Sequence, residues 1–195
     1  MSILIILVLA APVNCNALRV EKNCNGRVAV LVDSSWDYSH GWSETDYVGI
    51  VRELTSALEY LGYGYDLVDE KTPQQELERY AILMAVTGSQ GERILSYGKG
   101  TGRPVVVFYS LGAELAAALD ILPGDLVLDK EEERPLELKK ESPLTAGLMS
   151  HHSAIPWWGA YEHRFGKEAE VLLSTPNGLP VLVEQRGTAG HYIFF

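Results

Sequence analysis

Ser110 carries the hydroxyl in this sequence best placed to act as a nucleophile. It lies in Phe108-Tyr109-Ser110-Leu111-Gly112, where an apolar run gives way to an Ala- and Leu-rich stretch. A serine on a sharp strand-to-helix turn exposes its Oγ, and it needs a base within hydrogen-bond reach and an oxyanion pocket. Only half of such an elbow is present, because the place two residues before the serine holds Phe108 where glycine is normally required. His151, His152, His163 and His191 are the candidate bases. The alternative role for Ser110 is to cap a helix that begins at Leu111.

A second group of residues suits binding better than catalysis. Asp33-Ser34-Ser35-Trp36-Asp37-Tyr38-Ser39-His40-Gly41-Trp42 alternates flat apolar faces with directed hydrogen-bonding groups. Sugar rings present C–H patches and hydroxyls together, so aromatic faces beside carboxylates match them. Pro156-Trp157-Trp158-Gly159 and Tyr161 offer a second wall. The candidate ligand-binding residues are therefore Asp33, Ser34, Trp36, Asp37, His40, Ser89, Trp157 and Trp158. The competing reading is that these aromatics fill the edge of the core or face another domain. For a metal, His151 and His152 are adjacent, so their side chains diverge on regular structure and do not form the i, i+4 pair of a helical zinc site. The cysteines show no metal-type spacing, and no metal or other cofactor is expected.

These groups must be positioned by the elements around them. Val28–Val32, Ala81–Val86 and Pro104–Tyr109 are continuous β-branched or apolar runs, with a weaker one at Tyr65–Val68. Runs without strict alternation indicate strands covered on both faces, and helices between them imply right-handed parallel crossovers. In a sheet of order 2-1-3-4 the switch point lies beside the first strand, so the loop from Asp33 borders the crevice. Ser43-Glu44-Thr45-Asp46 reads as a capping box, and Tyr47, Val51, Leu54, Leu58 and Leu61 follow at helical spacing until Gly62. Thr72-Pro73 opens a short second helix with proline at its first position. Ser89 is a candidate cap for a third, and Gly98, Gly100 and Gly102 read as a turn feeding the next strand. Beyond the helix of Leu111–Leu119 the chain turns β-rich. Short strands are expected at Leu126–Leu128 and Leu136–Leu138 around the acidic run Asp129–Arg134, itself read as a solvated loop or hairpin. Ala169–Ser174, Leu179–Glu184 and His191–Phe195 complete the set, the last two joined as a hairpin through Gln185–Gly190.

A chain of 195 residues suits one domain, and 47% hydrophobic with 22% charged residues is ordinary for a globular protein. A formal net charge of −10 with scattered Lys and Arg argues against a nucleic-acid partner. Ser2–Ala11 is an apolar block too short to span a bilayer comfortably, and with Cys15-Asn16-Ala17 it reads as a secretory signal over residues 1–17, although no Lys or Arg precedes it. The alternative is a buried first strand. Cleavage after Ala17 leaves Cys24 as a single thiol; retention lets Cys15 and Cys24 pair in an oxidising compartment. The chain stops inside a good strand, so it is read as a fragment of a longer polypeptide, secreted or at the cell surface.

The order of elements resembles the class I glutamine amidotransferase-like superfamily, especially its non-amidotransferase branch of trehalose-utilisation-type proteins and accessory domains of some β-galactosidases. The matching pieces are Val28–Asp33, Leu61–Asp66, Glu78–Leu83, Tyr97–Val107, Ser142–Leu148 and Gly178–Val183 with its following hairpin. The resemblance implies an α/β, flavodoxin-like three-layer sandwich over residues 27–195, with a central mostly parallel sheet and a β-rich C-terminal part. Amidotransferases hold a nucleophilic cysteine at the strand-to-helix turn and a His-Glu pair later. Here that turn offers Ser110 or Tyr109, so cysteine-dependent glutamine hydrolysis is not expected. The resulting expectation is a non-catalytic binding or interdomain module in a carbohydrate-related setting, with a small molecule, a glycan or adjacent domains as partners. The alternative is a hydrolase using Ser110 with a histidine, or a metal-assisted one.

Overall fold

A computed structural model describes residues 26–33, 44–128, 136–145 and 159–195. Among these residues, β1 (Val28–Leu31), β2 (Tyr65–Val68), β3 (Ile82–Ala85) and β4 (Pro104–Val107) lie in one sheet with β6 (Glu137–Leu138), β8 (Ala169–Ser174), β9 (Pro180–Gly187) and β10 (Gly190–Phe194). The order is β2-β1-β3-β4-β10-β9-β8-β6. The strands from β2 to β10 in that order are mutually parallel, and β9, β8 and β6 then alternate in direction. β5 (Leu126–Leu128) and β7 (Gly159–Tyr161) form a separate antiparallel pair.

The β-branched runs lie in the middle of this sheet because both of its faces are covered. Val28, Val30, Ile82, Met84, Val106, Phe108 and Ile193 face helix α1 (Glu44–Tyr60), which buries Tyr47, Ile50, Leu54, Ala57 and Leu58 at three- and four-residue spacing. Ala29, Leu31, Leu83, Ala85, Val105, Val107, Tyr192 and Phe194 face the other way, under α2 (Gln74–Leu77), α3 (Gly91–Thr101) and α4 (Ala113–Ala118). Full burial of a Val, Leu or Phe side chain stabilises by about 1.5–3 kcal/mol, so two covered faces dominate the fold. This is the α/β three-layer arrangement expected from the sequence, with α1 the only helix on its side among the described residues because β1 to β2 steps one way and β2 to β3 steps back.

Helix α1 ends as its sequence dictates. Gly62 at φ 77° is the left-handed residue, with Gly62 N–H donating to Glu59 O (3.0 Å) and Tyr63 N–H to Leu58 O (2.9 Å). Elsewhere local readings yield to packing. Pro73 caps α2 from outside, with φ −58° and ψ 141°, one place earlier than the sequence pattern placed it. Gly98 and Gly100 belong to α3, and Gly102 alone, at φ 64°, makes the turn. Gly98 is there for space: a Cβ on it would stand 2.5 Å from the Tyr192 hydroxyl. The strands flanking the acidic run, β5 and β6, pair with β7 and β8 respectively. β9 extends to Gly187, which shortens the β9–β10 loop to Thr188-Ala189. The segment 1–17, Cys15, Cys24 and the acidic run itself lie outside the described residues.

Candidate functional site

The carboxyl ends of β1, β3, β4 and β10 converge. Val86 N–H donates to Leu31 O (3.1 Å), Phe108 N–H to Ala85 O (3.0 Å) and Tyr109 N–H to Phe195 O (2.8 Å), so the four exits are laced together by backbone. The loops after β3 and β4 are tied more closely still, with Gly88 N–H donating to Ser110 O at 2.7 Å and Gly112 N–H to Gly88 O at 3.2 Å. Only glycine permits that approach. A Cβ on Gly112 would meet Gly88 O at 2.4 Å, and one on Gly88 would meet Ser110 O at 2.8 Å.

Side chains bridge the switch point between β1 and β3. Ser89 Oγ donates to Asp33 Oδ2 at 2.5 Å, and Thr87 Oγ1 lies 2.9 Å from Ser89 Oγ. Because the single Ser89 proton goes to the carboxylate, Thr87 is the donor in the second bond. The backbone N–H of Asp33 donates to the Tyr47 hydroxyl (2.7 Å), so α1 fixes the first turn after β1. Gln90 Nε2 donates to Val32 O (2.9 Å) and leaves its Oε1 buried without a partner among the described residues. Asp33 and Ser89 thus come together, but Ser89 does not cap α3; Gln90 holds the N-cap place with no side-chain bond to the helix.

The turn after β4 is left-handed at Tyr109. Tyr109 has φ 61°, a left-handed backbone that a bulky L-residue rarely adopts, and Ser110 is one residue past it. The Tyr109 ring packs against the core under α1, tilted 41° to Phe108, and burial there pushes its phenol well above the ordinary range, with the Glu53 charge adding to the effect. Ser110 does not cap α4 either, whose N-cap is Gly112 without a side-chain bond.

Among the described residues no imidazole reaches Ser110. His191 pairs in register with Pro104 at the start of β4, whereas Ser110 lies past its end, a strand length of about 10 Å or more away. His191 Nε2 is bound to Glu184 Oε1 at 2.8 Å, and Arg186 reaches the same oxygen at 2.6 Å. The His191 bond, with Arg186 behind it, holds the Glu184 carboxyl down at about 2 against the cost of its burial. His163 is stacked on Tyr161, with centroids 4.8 Å apart, and its Nδ1 accepts the Gly124 N–H at 3.0 Å. Burial lowers its pKa to about 4, so it stays neutral at ordinary pH. No group of three His, Cys, Asp or Glu among the described residues is arranged to hold a metal ion. Ser34, Trp36, Asp37, His40, His151, His152, Trp157 and Trp158 lie outside the described residues.

No family model matches the chain, and no curated protein is similar to it in sequence. Solved structures are. A ThuA-like protein from Bacteroides uniformis superposes with a TM-score of 0.59 at 14% identity, over 90% of this chain and 83% of that one. A glutamine amidotransferase from Thermotoga maritima gives 0.55 at 12% identity, over 90% and 75%. This is the class I glutamine amidotransferase-like fold. A third structure, an exo-β-1,4-mannosidase from Opitutaceae bacterium strain TAV5, contains the amidotransferase-like arrangement within 30% of its own length, with a TM-score of 0.56 at 10% identity over 86% of this chain. At these identities the likeness establishes architecture and nothing finer.

The sequence predicted the parallel order of the strands, and their carboxyl ends bring Asp33, Ser89 and the Ser110 loop together. The roles of Thr87, Gln90, Gly88 and Gly112 were missed. The signal for the first two was Thr87-Gly88-Ser89-Gln90 directly following a buried run. Nothing local announces that Gly88 and Gly112 meet.

Proposed function

We propose that this chain is a non-catalytic amidotransferase-like module that binds a carbohydrate at the crevice formed by the exits of β1, β3 and β4. The observation that carries this reading is Tyr109. At the left-handed turn after β4 stands a half-buried aromatic ring packed against the core under α1, in the place where the amidotransferase resemblance implies a cysteine. The polar rim of Asp33 and Ser89, with the buried Thr87 hydroxyl behind it, is suited to holding hydroxyls. The carbohydrate setting draws support from the mannosidase that carries the same fold as a minor part of its length. That relationship also favours an accessory role beside other domains, and the apolar Ser2–Ala11 block favours a secreted or cell-surface location.

The test is paired. The full chain is incubated with L-glutamine and with a p-nitrophenyl ester, and separately titrated calorimetrically with β-1,4-mannobiose. Saccharide binding without turnover is the expected result. Turnover that disappears in Ser110→Ala while the circular dichroism spectrum stays native would overturn the reading in favour of a serine hydrolase.

A further inference from the structure

The outer edge of the sheet at β2 bears on whether the chain associates with itself. We infer that Arg27 and Thr72 close this edge against strand addition by a second copy of the chain.

Among the described residues β2 is the outermost strand on its side, paired with β1 alone. Val28 N–H donates to Gly64 O (2.9 Å) and Val32 N–H to Val68 O (2.8 Å). Successive residues of a strand point their backbone groups alternately to either side, so Tyr65, Leu67 and Asp69 turn theirs away from β1. Such a row is a template for another strand. Here both of its ends are occupied from within the chain. At one end Arg27 reaches across β2, with Nε donating to Asp66 Oδ2 (2.8 Å) and Nη2 to Asp66 Oδ1 (2.7 Å), and Nη2 also donates to the outward Tyr65 O. Gly64 leaves room for the guanidinium, since a Cβ there would stand 2.8 Å from Arg27 Nη1. At the other end Thr72 takes the place of a strand partner for Asp69. Thr72 N–H donates to Asp69 O (3.1 Å), and Asp69 N–H donates to Thr72 Oγ1 (3.2 Å). Leu67, 56% exposed, stands between the two closed ends.

The occupant kept out is a second copy, because this edge is complementary to itself. A two-fold axis at Leu67 sets two β2 strands antiparallel, with Leu67 facing its counterpart and Tyr65 facing Asp69 of the second copy. Tyr65 O would then accept the Asp69 N–H across the axis, and these are the two groups that Arg27 and Thr72 hold. The side chains agree with that register. Tyr65 packs on the α1 side of the sheet, and Leu67, two residues on, shares that side and would meet the second Leu67. Asp66 would lie opposite Val68, so no like charges come face to face, whereas an axis at Asp66 would oppose two carboxylates. The Arg27–Asp66 pair is itself 43% and 42% exposed, and ion pairs so open to water contribute little to stability. Its removal therefore reads out at the edge, not in the core.

The experiment is sedimentation velocity of the full chain at rising concentration, with circular dichroism melting to show that each variant is folded. The proteins are wild type, Arg27→Ala/Thr72→Val, Gly64→Ala/Thr72→Val, and the first of these double variants with Leu67→Pro added. Gly64→Ala displaces the guanidinium while keeping its charge, because the clash falls on the flexible end of Arg27, and it serves should Arg27→Ala fold poorly. Leu67→Pro removes the outward N–H and leaves the ladder to β1 intact. Expected is dimerisation of both double variants at least tenfold tighter than any shown by wild type, abolished by Leu67→Pro. Double variants that sediment like wild type, or association that survives Leu67→Pro, would overturn the inference. So would unfolding of both double variants, which would make Arg27 and Thr72 supports of the fold instead of guards of its edge.

Discussion

Ser89 Oγ donates to Asp33 Oδ2 at 2.5 Å, joining residues 56 apart in sequence across the gap between β1 and β3. The bond lies at an exposed rim, where charged hydrogen bonds contribute little to stability because water competes for both partners. Ser89→Ala should therefore cost no more than about 1 kcal/mol in urea denaturation. A loss of several kcal/mol would mean that the pair holds the fold together, leaving it less suited to ligand exchange.

The contact between Gly88 and Gly112 has the opposite character. Backbone atoms approach within 2.4–2.9 Å of where a Cβ would stand on either residue, and neither loop can retreat without breaking the Gly88–Ser110 and Gly112–Gly88 bonds. Gly88→Ala and Gly112→Ala should each destabilise by about 2–3 kcal/mol, the range of overpacked sites. Denaturation midpoints within a few tenths of a molar of wild type would contradict this.

Among the described residues, Asp120 is the second non-glycine residue with positive φ, at 55°. It follows the C-cap of α4, where Ile121 N–H donates back to Ala116 O at 2.9 Å, the place glycine usually fills. Asp120→Gly should raise stability by about 0.5–1 kcal/mol by relieving the left-handed backbone. A lower melting temperature for this variant would show that the aspartate side chain is doing something the backbone argument omits.

His163 gives the fold a predictable acid sensitivity. Unfolded, its imidazole takes a proton near 6.5; folded, burial holds the value at about 4. As pH falls the unfolded chain binds the proton first, so the associated stability is complete above 6.5 and drains away toward pH 4. The interval corresponds to about 2–3 kcal/mol. Protonating Nδ1 would also place two donors face to face at Gly124. Urea curves at about pH 7 and about pH 4.5 should show this decrement in wild type and a smaller one in His163→Gln. Equal decrements in the two proteins would refute it.

What was legible in the sequence followed from burial on two faces. β1, β3 and β4 were readable because a strand with helices on both sides cannot alternate, and α1 because its spacing and Gly62 agree with one another. The misreadings share a different cause. Gly98 resembles turn glycine until Tyr192, nearly a hundred residues later, is seen to need its space. Ser110 and Ser89 have the composition of caps, yet backbone bonds and Asp33 claim those loops first. Tyr109 and Ser110 share the turn, and nothing local in the sequence announces that the left-handed torsion falls on Tyr109. Each depends on a partner that no local window contains.

The insertion of β10 between β4 and β9 carries a consequence for how this protein is made. The parallel strands 28–107 and the antiparallel strands 169–187 share no direct seam; residues 190–194 are what unite them. During synthesis, Val105, Val106 and Val107 must wait with an unpaired flank until these late residues leave the ribosome, an invitation to intermolecular pairing. Nascent chains arrested before Gly190 should therefore be aggregation-prone clients of chaperones, and emergence of β10 should act as the keystone step in joining the two halves of this sheet.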